Sequence, residues 1–485
     1  MVLRLPMVGV ALWLALAASH AASPSLELAG KLETQGDFKG AARVLTEALS
    51  AGNLRGAGRQ EIDFELDRLD RIRKDYPFTK DELLAALKKS VRGLTAKEFD
   101  RWLAEGRFDA REIDRERRFM VSSVSNLYFR YPELESRRIE PKDRQAYERA
   151  VLASARAIAK ATAQSGKPYA LPKQFRVAMT ATVKSGVVPA GEVIRAWLPI
   201  PRAYPFQSGF KLDEASSQVQ HLDPETSAVR SVYLEQAGAT NGPTEFKIEY
   251  DYTTCGVRFE VSPEKVRQCD PNDPALRPFL QQAPHVVFTP ELQVLSKQIV
   301  GSETNDFVKA RKFYDWIAGN IKYSYALEYS TIRNLGGYCL ANGYGDCGQE
   351  ALLFITLCRL NGIPARWQSG WATIPGGKTI HDWSEIYLAP YGWMPVDPYM
   401  GIWATRYARV LSAEERREVR DFYFGGLDQW RMIANSDHAQ TLSPLKNSFR
   451  SDTVDFQRGE LEWGTNNIYF DQYDYELTVR ELGSE

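Results

Sequence analysis

The sequence predicts an α+β, multidomain protein with an N-terminal helical region, a β-sandwich-like domain and a mixed core followed by a C-terminal extension. Its 485 residues correspond to roughly three domains at about 100–200 residues each. Apolar residues have helical spacing through residues 22–171, alternate through 172–265 and mix both patterns through 270–410, before an extension at 411–485. A composition that is 44% hydrophobic and 25% charged excludes disordered, collagen-like and coiled-coil proteins.

The charge balance argues against a partner that is a nucleic acid. Lys and Arg together number 61 and Asp and Glu 62, for a net charge of -1. Binding by counterion release requires a basic field, and the sequence shows neither a global excess nor a local basic patch.

The N-terminus has the pattern of a secretory signal peptide over residues 1–21. Arg4 supplies a positive charge, an apolar run extends from Val8 to Ala18, and Ser19-His20-Ala21 is a small-x-small cleavage pattern. The run is shorter than the ~20 residues of a membrane span, although an uncleaved anchor is the alternative. We therefore expect a periplasmic or secreted protein with no membrane span after cleavage.

Residues 22–171 are predicted to be helical. Apolar residues from Leu26 onward are interrupted at Gly36-Asp37, which predicts a helical hairpin, and Thr79 and Thr95 are candidate N-caps of later helices. The charge-rich stretch from Asp109 to Arg118 is predicted to be the solvated face of a helix.

Strand-like alternation begins near residue 173 and defines the β-sandwich-like domain. It is clearest from Phe175 to Val183 and from Phe246 to Tyr252. Cys255 and Cys269 lie where this domain ends. Because an exported protein meets an oxidising compartment, we predict a disulfide between these two cysteines.

The first chemical motif is Gly345-Asp346-Cys347-Gly348-Gln349. Asp346 followed by Gln349 three residues later resembles a capping box, which makes Cys347 the first residue of a helix. Backbone N–H groups and the helix dipole at that position lower the pKa of a thiol, and the same N–H groups can stabilise an oxyanion. The alternative interpretation of Cys347 is a small buried thiol.

The second motif is a predicted hairpin that carries His381 and Asp397. His381 is a candidate base, or else a hydrogen-bonded core histidine, and Asp397 is a candidate acid or a turn-forming Asp-Pro. Register decides whether the two meet. A loop of four residues points Asp397 away from His381. A loop of three or five residues places both side chains on one face, one residue pair apart, so a working pair requires an odd loop or a bulge.

The order and spacing of these residues are more specific than each motif alone. His381 follows Cys347 by 34 residues and Asp397 follows His381 by 16. Together with Gly362-Ile363-Pro364-Ala365-Arg366, this pattern resembles the transglutaminase-like superfamily, which has a papain-type Cys-His-Asp core, over about 285–405. The resemblance implies that Cys347 is the nucleophile, His381 the general base and later acid, and Asp397 the group that orients the imidazole.

The resemblance implies a cysteine acyltransferase or peptidase that cleaves an amide or peptide bond through an acyl-thioester, on protein or peptide substrates including cell-wall peptides. The alternative is a catalytically silent binding or scaffold protein of the same fold.

No metal or cofactor is expected, because the sequence lacks metal-ligand spacings and phosphate-binding loops. Candidate side-chain donors to the oxyanion are Asn342, Tyr338 and Tyr344. Trp367, Trp371 and Trp393 either line a substrate groove or belong to the core. Asp382 and Glu385 are either partners of the catalytic residues or polar strand residues without a role in the site.

Overall fold

A computed structural model describes residues 24–52, 56–141 and 143–483 of the chain. The predicted signal peptide at 1–21 lies outside these residues. The described residues divide by their contacts into two compact units, one within residues 24–70 together with 111–117, and one of residues 71–110 together with those described from 118 to 483.

The first elements are mainly helical. They are α1 (Pro24–Thr34), α2 (Phe38–Ser50), α3 (Ala57–Asp75), α4 (Lys80–Ser90), α5 (Ala96–Ala104), β1 (Ala110–Ile113), β2 (Glu116–Phe119), α6 (Ser123–Arg130) and α7 (Gln145–Ser165). The break at Gly36-Asp37 separates α1 from α2, as predicted. Thr79 caps α4 by accepting from the Glu82 N–H, and Thr95 caps α5 in the same way.

The stretch from Asp109 to Arg118 forms the β1–β2 hairpin, so the prediction of a helix there is wrong. Asp114 and Arg115 both have positive φ, 52° and 72°, which is the backbone of a tight two-residue hairpin turn. Within the first unit, the Asp114 carboxylate accepts from the Lys39 N–H at 2.8 Å, and the Asp114 N–H donates to the Gly36 carbonyl at 2.7 Å. The conformation of the turn therefore determines the secondary structure of this stretch, and its high content of charged residues does not.

The alternating region forms the strands β3 (Tyr169–Val183), β4 (Val193–Pro199), β5 (Gln207–Ala215), β6 (Val219–Leu222), β7 (Ser231–Ala237) and β8 (Thr244–Arg258). The mixed region that follows contains α8 (Pro290–Val300), α9 (Asp306–Asn320), β9 (Lys322–Tyr323), α10 (Leu335–Asn342), β10 (Tyr344–Gly345), α11 (Cys347–Leu360), β11 (Ala365–Ala372), β12 (Thr379–Leu388), β13 (Gly392–Val396) and α12 (Pro398–Arg406).

The C-terminal residues add α13 (Ala413–Phe422), β14 (Gly426–Leu427), β15 (Arg431–Asn435), β16 (Glu460–Trp463), β17 (Asn466–Ile468) and β18 (Tyr473–Leu482). These strands do not form a sheet of their own. β18 pairs with β3 and β14 with β8, β16 pairs with β4, and β15 pairs with β11. The C-terminal extension thus completes the sheets of both preceding regions.

The α+β fold class is confirmed by three main sheets. Two five-stranded sheets share one apolar core, to which β3, β4, β7, β8, β16 and β18 all contribute, so this part is sandwich-like. The third sheet has the order β13-β12-β11-β15, and α11 packs on it with most of its side chains buried. This packing fixes where the N-terminal end of α11 meets β12.

All five cysteines are free thiols, so the predicted Cys255–Cys269 disulfide is wrong. Cys255 lies within β8 and packs beside Phe206 and Val257. Cys269 instead lies 3.9 Å from the backbone carbonyl oxygen of Tyr387 in β12. Proximity to the same domain boundary does not bring the two sulfur atoms together.

Candidate active site

Cys347 is the first residue of α11, as predicted. The Asp346 carboxylate accepts from the Gln349 N–H at 3.0 Å, and the Gln349 side-chain carbonyl accepts from the Asp346 N–H at 3.4 Å. This reciprocal capping box fixes the start of the helix, so that the sulfur of Cys347 leaves the helix at its first turn.

Gly348 allows the start of α11 to approach its neighbours closely. A Cβ atom at this position would lie 2.1 Å from the Tyr329 hydroxyl oxygen, 2.9 Å from Asp382 Oδ2 and 2.9 Å from the Trp367 ring. The Tyr329 hydroxyl in turn donates to the Asp346 carboxylate at 2.9 Å. A glycine is therefore required where the cysteine helix meets the sheet.

We predict that Gly348→Ala destabilises the protein by about 1–3 kcal/mol, because the added methyl group overpacks this contact. Thermal unfolding checks the prediction. The matched control is Gly319→Ala in α9, where an added Cβ meets nothing within 4 Å and should be neutral or stabilising. Equal melting temperatures for the two variants would contradict the prediction.

His381 and Asp397 meet through an odd hairpin loop, as the register argument requires. Ser384 pairs with Val396 and Leu388 with Gly392, which leaves the three-residue loop 389–391. His381 Nε2 lies 2.8 Å from Asp397 Oδ2, and both side chains are buried. The predicted contact between the two residues is therefore present.

Arg431 on β15 completes this group and was not predicted from the sequence. Its guanidinium lies 3.1 Å from Asp397 Oδ2 and 2.9 Å from Asp428 Oδ2, and all three side chains are buried. Burial alone would raise the pKa of Asp397, but His381 and Arg431 together lower it below its usual value. Burial lowers the pKa of His381, which favours a neutral imidazole that is able to accept a proton.

The hydrogen-bond partner of the Cys347 thiol is Asp382, the residue after His381. The sulfur donates to Asp382 Oδ2 at 3.6 Å, and the amide of Gln457 donates to Asp382 Oδ1 at 2.7 Å. Side chains alternate along a strand, so Asp382 faces α11 whereas His381 lies on the same face as Trp383. The rings of His381 and Trp383 stack, with their centroids 5.6 Å apart. The structure thus joins His381 to Asp397 and places the thiol against Asp382.

The environment of Cys347 raises its pKa well above the usual cysteine value. Burial is the largest cause, followed by the carboxylates of Asp382 and Asp346, which disfavour a thiolate. The expectation that the helix start lowers this pKa is wrong for the resting arrangement. Burial of the thiol, together with the nearby carboxyl groups, outweighs the effect of the helix terminus.

Cys347 lines a cavity of about 160 Å³. The lining is aromatic and acidic, with Tyr323, Tyr325, Tyr329, Glu328, Asp346, Asp382, Asp452 and Asp455 among its members. A second cavity of about 40 Å³ is lined by His381, Tyr399, Asp428 and Arg431. Thr379 lines both cavities, so the thiol and the imidazole open onto adjoining spaces.

None of the three residues proposed as oxyanion donors lines the cavity at Cys347. The Tyr344 hydroxyl donates to Asp109 at 2.6 Å, and the amide of exposed Asn342 donates to the Tyr338 carbonyl at 2.8 Å. This leaves the backbone N–H of Cys347 as the donor that sequence reasoning named.

The tryptophans serve mainly as core. Trp367 and Trp371 are buried in two apolar clusters, and Trp393 packs against Phe279 with ring centroids 5.1 Å apart. Glu385 is a structural partner, because its carboxylate pairs with Arg366 at 2.6 Å.

The described ranges 24–52, 56–141 and 143–483 contain no group of three or more His, Cys, Asp or Glu side chains arranged to hold a metal ion. Within the same ranges, no helix is both long enough and apolar enough to cross a membrane.

Comparison with known proteins supports the assignment of this region. Residues 293–398 match the model of the transglutaminase-like superfamily and include all three predicted site residues, so the chain contains a transglutaminase-like domain there. An uncharacterized protein of Haemophilus influenzae is 26% identical over 179 residues, which span 30% of this chain and 46% of that protein. The chain therefore spans less than half of that relative.

Two solved structures align with parts of the chain. A proposed cysteine protease from Cytophaga hutchinsonii aligns with 65% of this chain and 93% of its own at 15% identity and a TM-score of 0.44. The periplasmic domain of TgpA from Pseudomonas aeruginosa aligns with 54% of this chain and 94% of its own at 14% identity and a TM-score of 0.26. Because these scores are low, the assignment depends on the family match.

Proposed function

We propose that this protein is a periplasmic or secreted cysteine-nucleophile enzyme that acts on amide or peptide bonds through an acyl-thioester. The observation that carries the proposal is the buried His381–Asp397 hydrogen bond of 2.8 Å, beside a helix that starts at Cys347. The match of this region to the transglutaminase-like superfamily supports the same roles.

The proposed reaction requires the Cys347 sulfur to leave Asp382 and reach the imidazole of His381, whose cavity shares the lining residue Thr379 with the cavity at Cys347. Asp397 holds Nε2 of the imidazole, so Nδ1 is the nitrogen that accepts the proton from sulfur. The sulfur then attacks the substrate carbonyl carbon, and the Cys347 backbone N–H donates to the developing oxyanion. His381 returns the proton to the leaving amine, and water or a primary amine resolves the thioester.

The substrates that fit this chemistry are proteins or peptides, including cell-wall peptides. The cavity at Cys347 contains no side chain suited to a phosphate-rich ligand except Arg458, which lies 3.5 Å from Glu328. Acidic and aromatic groups otherwise line it, which is consistent with a peptide-like ligand.

Mass spectrometry of products tests the proposal. A glutamine-containing peptide library is incubated with the protein, with and without a primary amine. Deamidation, an amine adduct and chain cleavage give different mass changes, and any of the three supports the proposal. Products that form equally well with Cys347→Ala would count against it.

The second candidate is a catalytically silent binding protein of the same fold. The observation that favours it is the Cys347–Asp382 hydrogen bond, together with a thiol whose pKa is raised. A silent protein would give none of the three mass changes. It would also bind its peptide partners equally well with and without the Cys347 sulfur.

A further inference from the structure

The buried carboxyl group of Asp382 accepts hydrogen bonds from three other side chains. It lies on β12 and is 3% exposed. Oδ2 accepts from the Cys347 thiol at 3.6 Å and from the Tyr329 hydroxyl at 3.5 Å, and Oδ1 accepts from the Gln457 amide at 2.7 Å. Burying a carboxyl group is costly, so this network implies a specific role.

The network fixes Asp382 from three separate segments of the chain. Gln457 belongs to the C-terminal extension and also donates to the His381 carbonyl at 3.0 Å, which ties it to the strand of the candidate base. Tyr329 donates to both Asp346 and Asp382, so the helix cap and the strand share one hydroxyl. Asp382 therefore cannot turn away from the sulfur without breaking several hydrogen bonds.

We propose that Asp382 is a positioning residue that accepts the hydrogen bond of the Cys347 thiol and holds the nucleophile protonated until substrate is bound. This inference rests on the proposed function, because it assigns Cys347 as the nucleophile. In the resting state the S–H bond of Cys347 remains intact. At reaction, the S–H bond breaks and its proton passes to Nδ1 of His381, while Asp382 keeps its remaining donors.

The charges around Cys347 favour this role over that of a base. The ionisable groups that face the sulfur are Asp346 and Glu350 on its own helix, Asp382 on β12, and the hydroxyls of Tyr323, Tyr329 and Tyr399. His381 is the adjacent residue of β12 and is itself paired with Asp397. Burial, followed by the neighbouring carboxyl groups of Asp346 and Asp452, raises the pKa of Asp382 itself well above its usual value. Ionisation of the thiol and ionisation of Asp382 therefore disfavour each other while the two groups are hydrogen-bonded.

The rate of iodoacetamide alkylation of Cys347 as a function of pH tests the inference. Mass spectrometry of the peptide that contains Cys347 separates this residue from the other four cysteines. In the wild-type protein, the midpoint should lie above about 8.5, the value of a free cysteine. In Asp382→Asn, the midpoint should fall by about one pH unit or more, which gives about tenfold faster alkylation below the midpoint.

The matched control is Asp455→Asn. Its carboxyl group lines the same cavity and is 6% exposed, but Asp382 and not Asp455 accepts from the sulfur. We expect its midpoint to shift by less than half as much.

Three results would overturn the inference: a wild-type midpoint below that of a free cysteine, an unchanged midpoint in Asp382→Asn, or slower alkylation in Asp382→Asn. The last result would make Asp382 the proton acceptor instead. The wild-type measurement stands even where Asp382→Asn fails to fold. These outcomes are separate from the proposed function, which fails when no product forms or when product formation does not depend on Cys347.

Discussion

Replacement of Cys347 by alanine is expected to lower product formation by at least about a thousandfold, because the proposed acyl-thioester forms on its sulfur. The backbone at this position is fixed by the capping box of Asp346 and Gln349, whose two hydrogen bonds do not involve the sulfur. The helix should therefore begin at the same residue in the variant. Initial rates of product formation, measured by mass spectrometry on the two proteins, check this.

The control for the cysteine substitution is Cys269→Ala. Cys269 is also a partly buried free thiol, but its sulfur lies beside the Tyr387 backbone carbonyl and away from the His381–Asp397 pair. It should keep the wild-type rate. Equal activity of Cys347→Ala and Cys269→Ala would remove Cys347 from the reaction.

Asp397→Ala is expected to destabilise the fold by about 3–5 kcal/mol as well as to abolish most activity. The substitution leaves the buried guanidinium of Arg431 with one carboxylate partner in place of two. It also removes the N-cap of α12, because Asp397 Oδ1 accepts from the Met400 N–H at 3.1 Å. Urea unfolding at neutral pH gives the free energy of unfolding for both proteins.

Asp397→Asn distinguishes the contribution of the negative charge of Asp397 from its contribution as the N-cap of α12. An asparagine side-chain oxygen can still accept from the Met400 N–H, so this variant should lose less stability than Asp397→Ala. An Asp397→Ala protein with wild-type stability would refute the account of the buried network.

The ionisation of Asp397 is expected to make the free energy of unfolding depend on pH. The pKa of Asp397 is lowered in the folded state, so its contribution is present above the unfolded pKa and is lost as the pH falls through the folded value. The wild-type protein should therefore lose stability below about pH 4, and Asp397→Asn should lose less over the same range. Parallel curves for the two proteins would contradict this.

Local sequence rules predicted the parts of the site that depend on neighbouring residues. The capping box follows from Asp346 and Gln349 three residues apart, and the parity of the 389–391 loop decides whether His381 meets Asp397. Both are short-range geometric consequences of helix and strand periods. For the same reason, the alternation predicted from Phe175 to Val183 and from Phe246 to Tyr252 lies within β3 and β8.

The remainder of the site depends on contacts between distant segments, which periodicity does not encode. Arg431 and Gln457 reach Asp397 and Asp382 from the C-terminal extension, whose strands join sheets that begin far earlier in the chain. The pKa of Cys347 was mispredicted for the same reason. The helix start is visible in the sequence, but the approach of Asp382 to the sulfur is not.

Detection of an acyl group on Cys347 tests most directly whether this residue is the nucleophile. The protein is incubated with the peptide library, quenched in acid to preserve thioesters, and digested for mass spectrometry. We expect a mass increase on the peptide that contains Cys347, equal to the acyl portion of a consumed substrate. Product formation at an equal rate by wild type and Cys347→Ala, with no adduct on Cys347, would contradict it.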